Sequence, residues 1–131
     1  MFKARSRTSD ERGQGLVEFA LIIPILMLMI MGILDLGRAL YAYSVVANSA
    51  REGARYGSTA PTDDSGVIAV ARAAAVGLDP AQLNVTVSHP GGNSVHVQVA
   101  YTFRLVTPLV GQVLGGGAIL LSSASTMYTG Y

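Results

Sequence analysis

Residues 19–34 read FALIIPILMLMIMGIL, and this uncharged run decides the fold. With Leu16 and Val17 before it and Leu36 after it, the apolar span covers about 20 residues, the length that crosses a bilayer core as a helix. The run is apolar on every face, unlike an amphipathic surface helix. A buried core helix is the alternative, but a chain of 131 residues has little other material to wrap one. We therefore predict a membrane-spanning helix.

The charges around this run predict its orientation. Only 13% of the residues are charged, against about 25% in a typical soluble domain. Residues 1–13 hold four basic and two acidic side chains, a net charge of +2, whereas Arg104 is the only charged side chain after Asp79. Because basic flanks stay in the cytoplasm, we predict a single-pass protein of the cytoplasmic (inner) membrane with its N-terminus inside and its C-terminus outside.

A secretory signal peptide has a similar order of segments. Its apolar region usually covers about 7–15 residues and is followed by an A-x-A-like cleavage site. The run in this chain is longer and no such site follows it. These differences favour a retained anchor.

Glu18 stands near the start of the apolar span and needs an explanation. An ionisable group inside a membrane segment is costly and marks function, whereas the same group in the headgroup zone costs little. Position alone leaves both interpretations open. Residues 12–19 read RGQGLVEF, which places Gly13 five residues before Glu18 and directly ahead of the apolar helix.

This arrangement resembles the processing site of type IV prepilins and of the Tad (Flp) branch, where a prepilin peptidase cuts after a glycine. By that resemblance the cut falls between Gly13 and Gln14, and Glu18 becomes the fifth residue of the mature chain. A carboxylate on a neighbouring subunit can neutralise the new ammonium at Gln14. Such a pair would set the axial register between packed helices. Gln14 differs from the aromatic first residue of many type IV pilins.

The helix is predicted to continue beyond the membrane, from about residue 16 to residue 56. Asp35 and Arg38 are three residues apart and are expected to pair on one helix face at the outer membrane surface. An apolar stripe with helical 3–4 spacing follows, and we expect the sheet of the outer domain to cover it. Its members are Leu36, Leu40, Tyr43, Ala47, Ala50 and Ala54.

Three segments together resemble the TadE-like family of pseudopilins: GLVEFAL at 15–21, GILDLGR at 32–38 and NSAREGARYG at 48–57. The resemblance covers about residues 12–57. It implies a structural pseudopilin, or minor pilin, of a Tad-type pilus or secretion-like apparatus, which acts by assembly rather than catalysis. The implied partners are the prepilin peptidase, other Tad pilins and pseudopilins, the inner-membrane assembly platform and membrane lipid, with incorporation into a pilus.

The remaining sequence predicts a small mixed domain. A helix is expected over residues 67–76, with Asp63, Asp64 or Ser65 as its N-cap. Alternation of apolar and polar residues predicts strands at 83–88, 95–105 and 119–128. A turn at 90–93 joins the first two strands into a hairpin, and a short helix from 108 to 113 precedes the third.

The predicted fold class is α+β. A long N-terminal transmembrane helix continues into a small extracytoplasmic domain with a short helix and a three-stranded antiparallel sheet, the pilin-like arrangement that the resemblance also implies. The predicted division is a cytoplasmic prepilin-type leader at 1–13, a transmembrane helix at 14–37 and an extracytoplasmic TadE-like domain at 38–131.

We predict no catalytic residue, no cofactor site, no metal site and no nucleic-acid partner. His89 and His96 flank the predicted turn, but a zinc site needs three or four ligands, so these side chains are expected to face solvent. The chain has no cysteine, and its arginines are too few for a nucleic-acid footprint. An unprocessed single-pass membrane protein presenting an extracytoplasmic binding or adhesion domain remains the alternative function, and an enzyme is a more distant one.

Overall fold

The structure is a computed structural model that describes residues 8–113 and 115–130. Its elements, in chain order, are α1 (Thr8–Thr59), α2 (Asp64–Ala74), a 3₁₀ turn (Pro80–Gln82), β1 (Leu83–Ser88), β2 (Ser94–Arg104), α3 (Pro108–Val113) and β3 (Ala118–Tyr128). The predicted α+β fold is confirmed, including the long first helix, the short helix that follows it and the antiparallel sheet.

Helix α1 is longer than predicted at both ends. It covers 52 residues and therefore extends about 78 Å at 1.5 Å per residue. Instead of beginning near residue 16, it begins at Thr8 and runs without a break through Gly13 and Gln14. Lys3, Arg5 and Arg7 of the predicted leader lie outside the described residues.

The most apolar part of α1 is exposed in the described structure. Its most apolar window has a mean hydropathy of 2.6 and none of that window is buried. By length and composition, α1 is the one helix of the described residues that can cross a membrane. The described residues therefore include one apolar helix near the N-terminus, which fits a single-pass membrane protein.

The three strands form an antiparallel sheet in the order β1-β2-β3. Strand β2 lies in the centre, where Val99 pairs with Val85 of β1 and with Ser123 of β3. The β1–β2 connection turns at Gly91 and Gly92, whose φ angles of 76° and 78° lie in the left-handed region that favours glycine. The predicted hairpin and third strand are thus confirmed to within one residue at their ends.

The sheet packs on the second half of α1, and β2 runs antiparallel to the helix. A Cβ placed on Gly57 would lie 2.7 Å from Cγ1 of Val95, and a Cβ on Gly53 would lie 3.2 Å from Cγ1 of Val97. At the other end of β2, the guanidinium of Arg38 lies over the ring of Phe103, 5.2 Å from its centroid. The helix and the strand therefore stay in contact from the end of α1 down to the region of Arg38.

The apolar stripe predicted on α1 is wrong in its first half. Leu36, Leu40 and Tyr43 are 61%, 60% and 49% exposed, so they do not face the sheet. The face that packs on the sheet carries smaller side chains, which allow the helix to approach closely. Its buried members are Ala42, Val46, Ala47, Ser49, Ala50, Gly53, Ala54 and Gly57.

One carboxylate at the N-terminus of helix α2 forms a hydrogen bond to α1. Asp63 is the N-cap, and its side chain accepts hydrogen bonds from the Gly66 amide, the Ser65 hydroxyl and the Tyr56 hydroxyl of α1. These donors lower the pKa of the Asp63 carboxyl below its ordinary value, the Gly66 amide most strongly. The bond to Asp63 in turn raises the pKa of the Tyr56 hydroxyl. Asp63 is therefore the cap among the three candidates, and it joins the two helices.

We predict that Gly57→Ala lowers the free energy of unfolding by about 1–3 kcal/mol relative to Gly37→Ala, because the new Cβ would overlap Val95. Both glycines lie in α1 and gain the same helix propensity, but a Cβ on Gly37 meets nothing within 4 Å. Urea unfolding of the full chain in detergent micelles, followed by tyrosine near-UV circular dichroism, measures the difference. Equal midpoints for the two variants would contradict the close helix–sheet contact.

Candidate functional site

The most connected polar group among the described residues is the side chain of Asp35. It lies on α1 at the end of the apolar span and is only 4% exposed. Its Oδ2 accepts hydrogen bonds from the Thr107 amide at 2.8 Å, the Thr107 hydroxyl at 2.7 Å and the Val106 amide at 3.0 Å. One carboxylate thus joins the long helix to a segment more than 70 residues away in sequence.

The local sequence explains why those amides are available. The β2–β3 ladder ends at Arg104, so the amides of Val106 and Thr107 have no strand partner. Pro108 begins α3 directly afterwards, and a residue before proline is biased toward extended backbone. Two neighbouring donors are therefore left at the end of the strand, and Asp35 accepts both.

Arg38 lies beside this carboxylate. Its Nη1 is 3.1 Å from Oδ1 of Asp35, and its guanidinium also stacks on Phe103. The Arg38 side chain is half exposed, at 53%, while that of Asp35 is 5% exposed. The arginine therefore offsets a buried negative charge from the solvent side.

Sequence reasoning did not find Val106 and Thr107. The available signal was local and weak: a Thr-Pro step directly after an alternating strand, in a segment without charge. It shows that a helix begins there, but it does not show which distant acceptor binds the free amides.

The structure places the predicted processing and register residues apart from this cluster. Gly13, Gln14 and Glu18 lie on the exposed first part of α1. A Cβ on Gly13 would meet nothing within 4 Å. Glu18 is 17 residues before Asp35, about 26 Å along the helix, and no ion pair joins it to another part of the described chain. Among the described residues, the Glu18 side chain is exposed.

The two histidines lie in separate contacts. His89 Nε2 is 2.8 Å from Oδ1 of Asp64, and His96 Nδ1 is 2.7 Å from the hydroxyl of Thr126. No group of three or more metal-ligating side chains occurs among residues 8–113 and 115–130. These contacts join α2 to the hairpin and β2 to β3.

Residues 13–55 match the family model described as TadE-like protein. That segment is TadE-like. The match confirms the resemblance seen in the sequence, and it includes Gly13, Glu18, Asp35 and Arg38. The match covers the apolar span of α1 and most of the face of α1 that packs on the sheet, and it ends before α2.

The TadE-like match relates the chain to structural components of Tad pili rather than to a family of enzymes. Other components of such pili are therefore the partners to consider. No curated protein and no solved structure matches the chain.

We predict that Asp35→Asn lowers the free energy of unfolding by about 2–4 kcal/mol, since an amide cannot accept all of these donors and leaves buried N–H groups unpaired. Glu52→Gln is the matched control. It breaks the exposed contact between Glu52 and Arg55 on the same helix and should cost less than about 1 kcal/mol. Denaturant unfolding in micelles compares them, and equal losses in the two variants would contradict the buried tether.

Proposed function

We propose that this chain is a structural pseudopilin, a minor pilin of a Tad-type pilus or secretion-like apparatus, which a prepilin peptidase processes and which acts by assembly from the membrane. The observation that carries the proposal is the TadE-like match, which begins at Gly13 and continues through the apolar helix. The exposed apolar window of α1 supports it, because an apolar surface that its own chain leaves uncovered needs lipid or other subunits around it.

The proposed leader is residues 1–13, and the proposed cut lies between Gly13 and Gln14. In the structure this bond lies inside α1, so the peptidase has to unwind the helix locally. Glycine in a helix interior costs roughly 0.5–1 kcal/mol relative to alanine, and Gly13 and Gly15 flank Gln14. The segment around the bond is therefore one of the easiest parts of α1 to open.

Cleavage changes the electrostatics of the first turn. It creates an ammonium at Gln14 next to an apolar helix, where an unpaired charge is costly. The Glu18 carboxylate of a neighbouring subunit is a suitable partner, since this side chain is exposed and has no ion-pair partner among the described residues. Pairing would let the ammonium and the carboxylate neutralise each other, and it would set the axial offset between adjacent helices.

The proposed topology follows from the charge of the leader. Residues 1–13 would stay in the cytoplasm, residues 14–37 would cross the inner membrane, and residues 38–131 would lie outside. Asp35 and Arg38 would then form a pair where the helix leaves the membrane. The proposed partners are the prepilin peptidase, other Tad pilins and pseudopilins and the inner-membrane platform.

We predict that the mature chain begins at Gln14 and that Gly13→Ala keeps the leader attached, because the peptidase recognises the glycine before the cut. Gly15→Ala is the matched control, two residues away on the same helix, and should still be processed. Intact-mass spectrometry of the membrane-extracted protein from a host with the peptidase measures both. An untruncated wild-type chain would favour the unprocessed single-pass protein, and a cut beyond Leu34 would refute the proposal.

We predict that Glu18→Gln leaves cleavage at Gly13 intact but reduces incorporation into the assembled apparatus, because the amide cannot neutralise the ammonium of a neighbouring subunit. Glu52→Gln removes a carboxylate from the exposed outer part of the same helix and should assemble normally. Quantifying the protein in sheared pilus fractions against the membrane fraction tests this. Normal incorporation of Glu18→Gln would refute the register role.

A further inference from the structure

The end of the outer domain nearest the apolar helix is itself apolar. We call residues 105–113 and 115–120 the apolar tip. It comprises the residues that follow β2, helix α3, the glycine-rich turn and the start of β3. Val106, Leu109, Val113 and Leu120 in this tip are 60%, 55%, 81% and 68% exposed. The sequence from residue 105 to residue 131 contains no Asp, Glu, Lys or Arg. An exposed apolar surface of this kind needs a covering partner.

The height of the tip along α1 is fixed by the Asp35 contact. Asp35 binds the backbone of Val106 and Thr107, so the tip begins at the level of the last residues of the apolar span. Below this level, Met31 and Leu34 line one groove with Val106. The tip is therefore beside α1 residues that belong to the proposed membrane segment, about one helical turn below Asp35.

A second groove repeats this arrangement on another side of α1. It has a volume of about 230 Å³, and its lining joins Gly32 and Leu36 of α1 to Val110 and Ile119 of the tip. Both grooves thus pair apolar residues of the helix with apolar residues of the outer domain at the same depth.

Several backbone amides of the tip are paired within the chain. The amides of Gly116 and Gly117 both donate to the carbonyl of Gly111 at 2.9 Å, and the Leu105 amide donates to the Gly117 carbonyl at 2.9 Å. The amides of Val106 and Thr107 are bound by Asp35. Such internal pairing is what a lipid environment demands, because an unpaired polar group there has no water to bind.

We propose that the apolar tip inserts into the outer-facing leaflet of the membrane that α1 crosses, so that lipid covers Val106, Leu109 and Val113. This inference rests on the proposed membrane anchoring of α1. Its depth is that of interfacial helices, about 5–10 Å into the boundary between headgroups and acyl chains. A second copy of the chain is the other possible cover, but lipid already surrounds this depth before any subunit arrives.

Insertion gives the outer domain two attachments to the membrane instead of one. The helix alone would leave the domain free to tilt together with α1. The tip restricts this tilt and holds the β1–β2 turn on the far side, about 36 Å away along β2, pointing into the aqueous space. Incorporation of the subunit into an apparatus would then require extracting the tip from lipid as well as the helix.

The test uses the full chain, which has no natural cysteine, so that single-cysteine variants carry one label. Leu109→Cys and Val113→Cys place nitrobenzoxadiazole on exposed tip positions, Asn93→Cys places it on the exposed far turn, and Ile25→Cys places it in the proposed span. Each protein is reconstituted into dioleoylphosphatidylcholine vesicles. Fluorescence is quenched either by lipids with doxyl groups near the headgroup or near the chain end, or by aqueous iodide.

Labels at 109 and 113 are expected to lose most of their fluorescence to the shallow doxyl lipid and little to iodide, while the label at 93 shows the reverse. The label at 25 should respond most to the deep doxyl lipid. Iodide quenching at 109 and 113 as strong as at 93, with 25 still quenched by lipid, overturns the insertion alone. Protection of 109 and 113 from both quenchers also overturns it, because protein then covers the tip. Iodide quenching at 25 overturns both the anchoring and the insertion.

Discussion

One buried carboxylate determines how the three-stranded sheet is placed along the long helix. Asp35 accepts the amides of Val106 and Thr107 at the point where the sheet ladder ends, and it therefore removes the cost of burying two unpaired N–H groups. Arg38 offsets the negative charge from the solvent side. Because Asp35 lies at the end of the apolar span, the same contact sets the height of the sheet relative to that span.

After Asp35, helix α1 and the central strand β2 lie side by side, and their repeats have nearly the same length. Four residues of α1 rise about 6 Å, and two residues of β2 rise about 6.6 Å, so inward-facing positions meet repeatedly. The contacts Gly57 to Val95 and Gly53 to Val97 follow this step. The AREGAR segment of residues 50–55 fits this spacing, because its small residues face the sheet while its arginines stay exposed.

Alternation and turn chemistry were sufficient to predict the strands, because β1 and β2 bury one face only and Gly91 and Gly92 allow the turn between them. On α1, hydrophobicity alone did not predict which face of the helix packs on the sheet. It favoured Leu36 and Leu40, which are exposed, because an apolar side chain facing lipid or another subunit has the same composition as one facing a core. The inward face is instead small and includes an acid. The partners of Asp35 depend on a contact across more than 70 residues, which no local pattern in the sequence specifies.

The central claim is that Asp35 holds the end of β2 at the end of the apolar span of α1. Amide hydrogen exchange of Val106 and Thr107, measured by NMR on the full chain in micelles, tests it most directly. Both amides should exchange as slowly as the ladder amides of β2, and Asp35→Asn should accelerate their exchange while the amides near the far turn keep their rates. Rapid exchange of both amides in the wild-type chain, at rates like those of Gly91 and Gly92 in the exposed turn, would contradict the account.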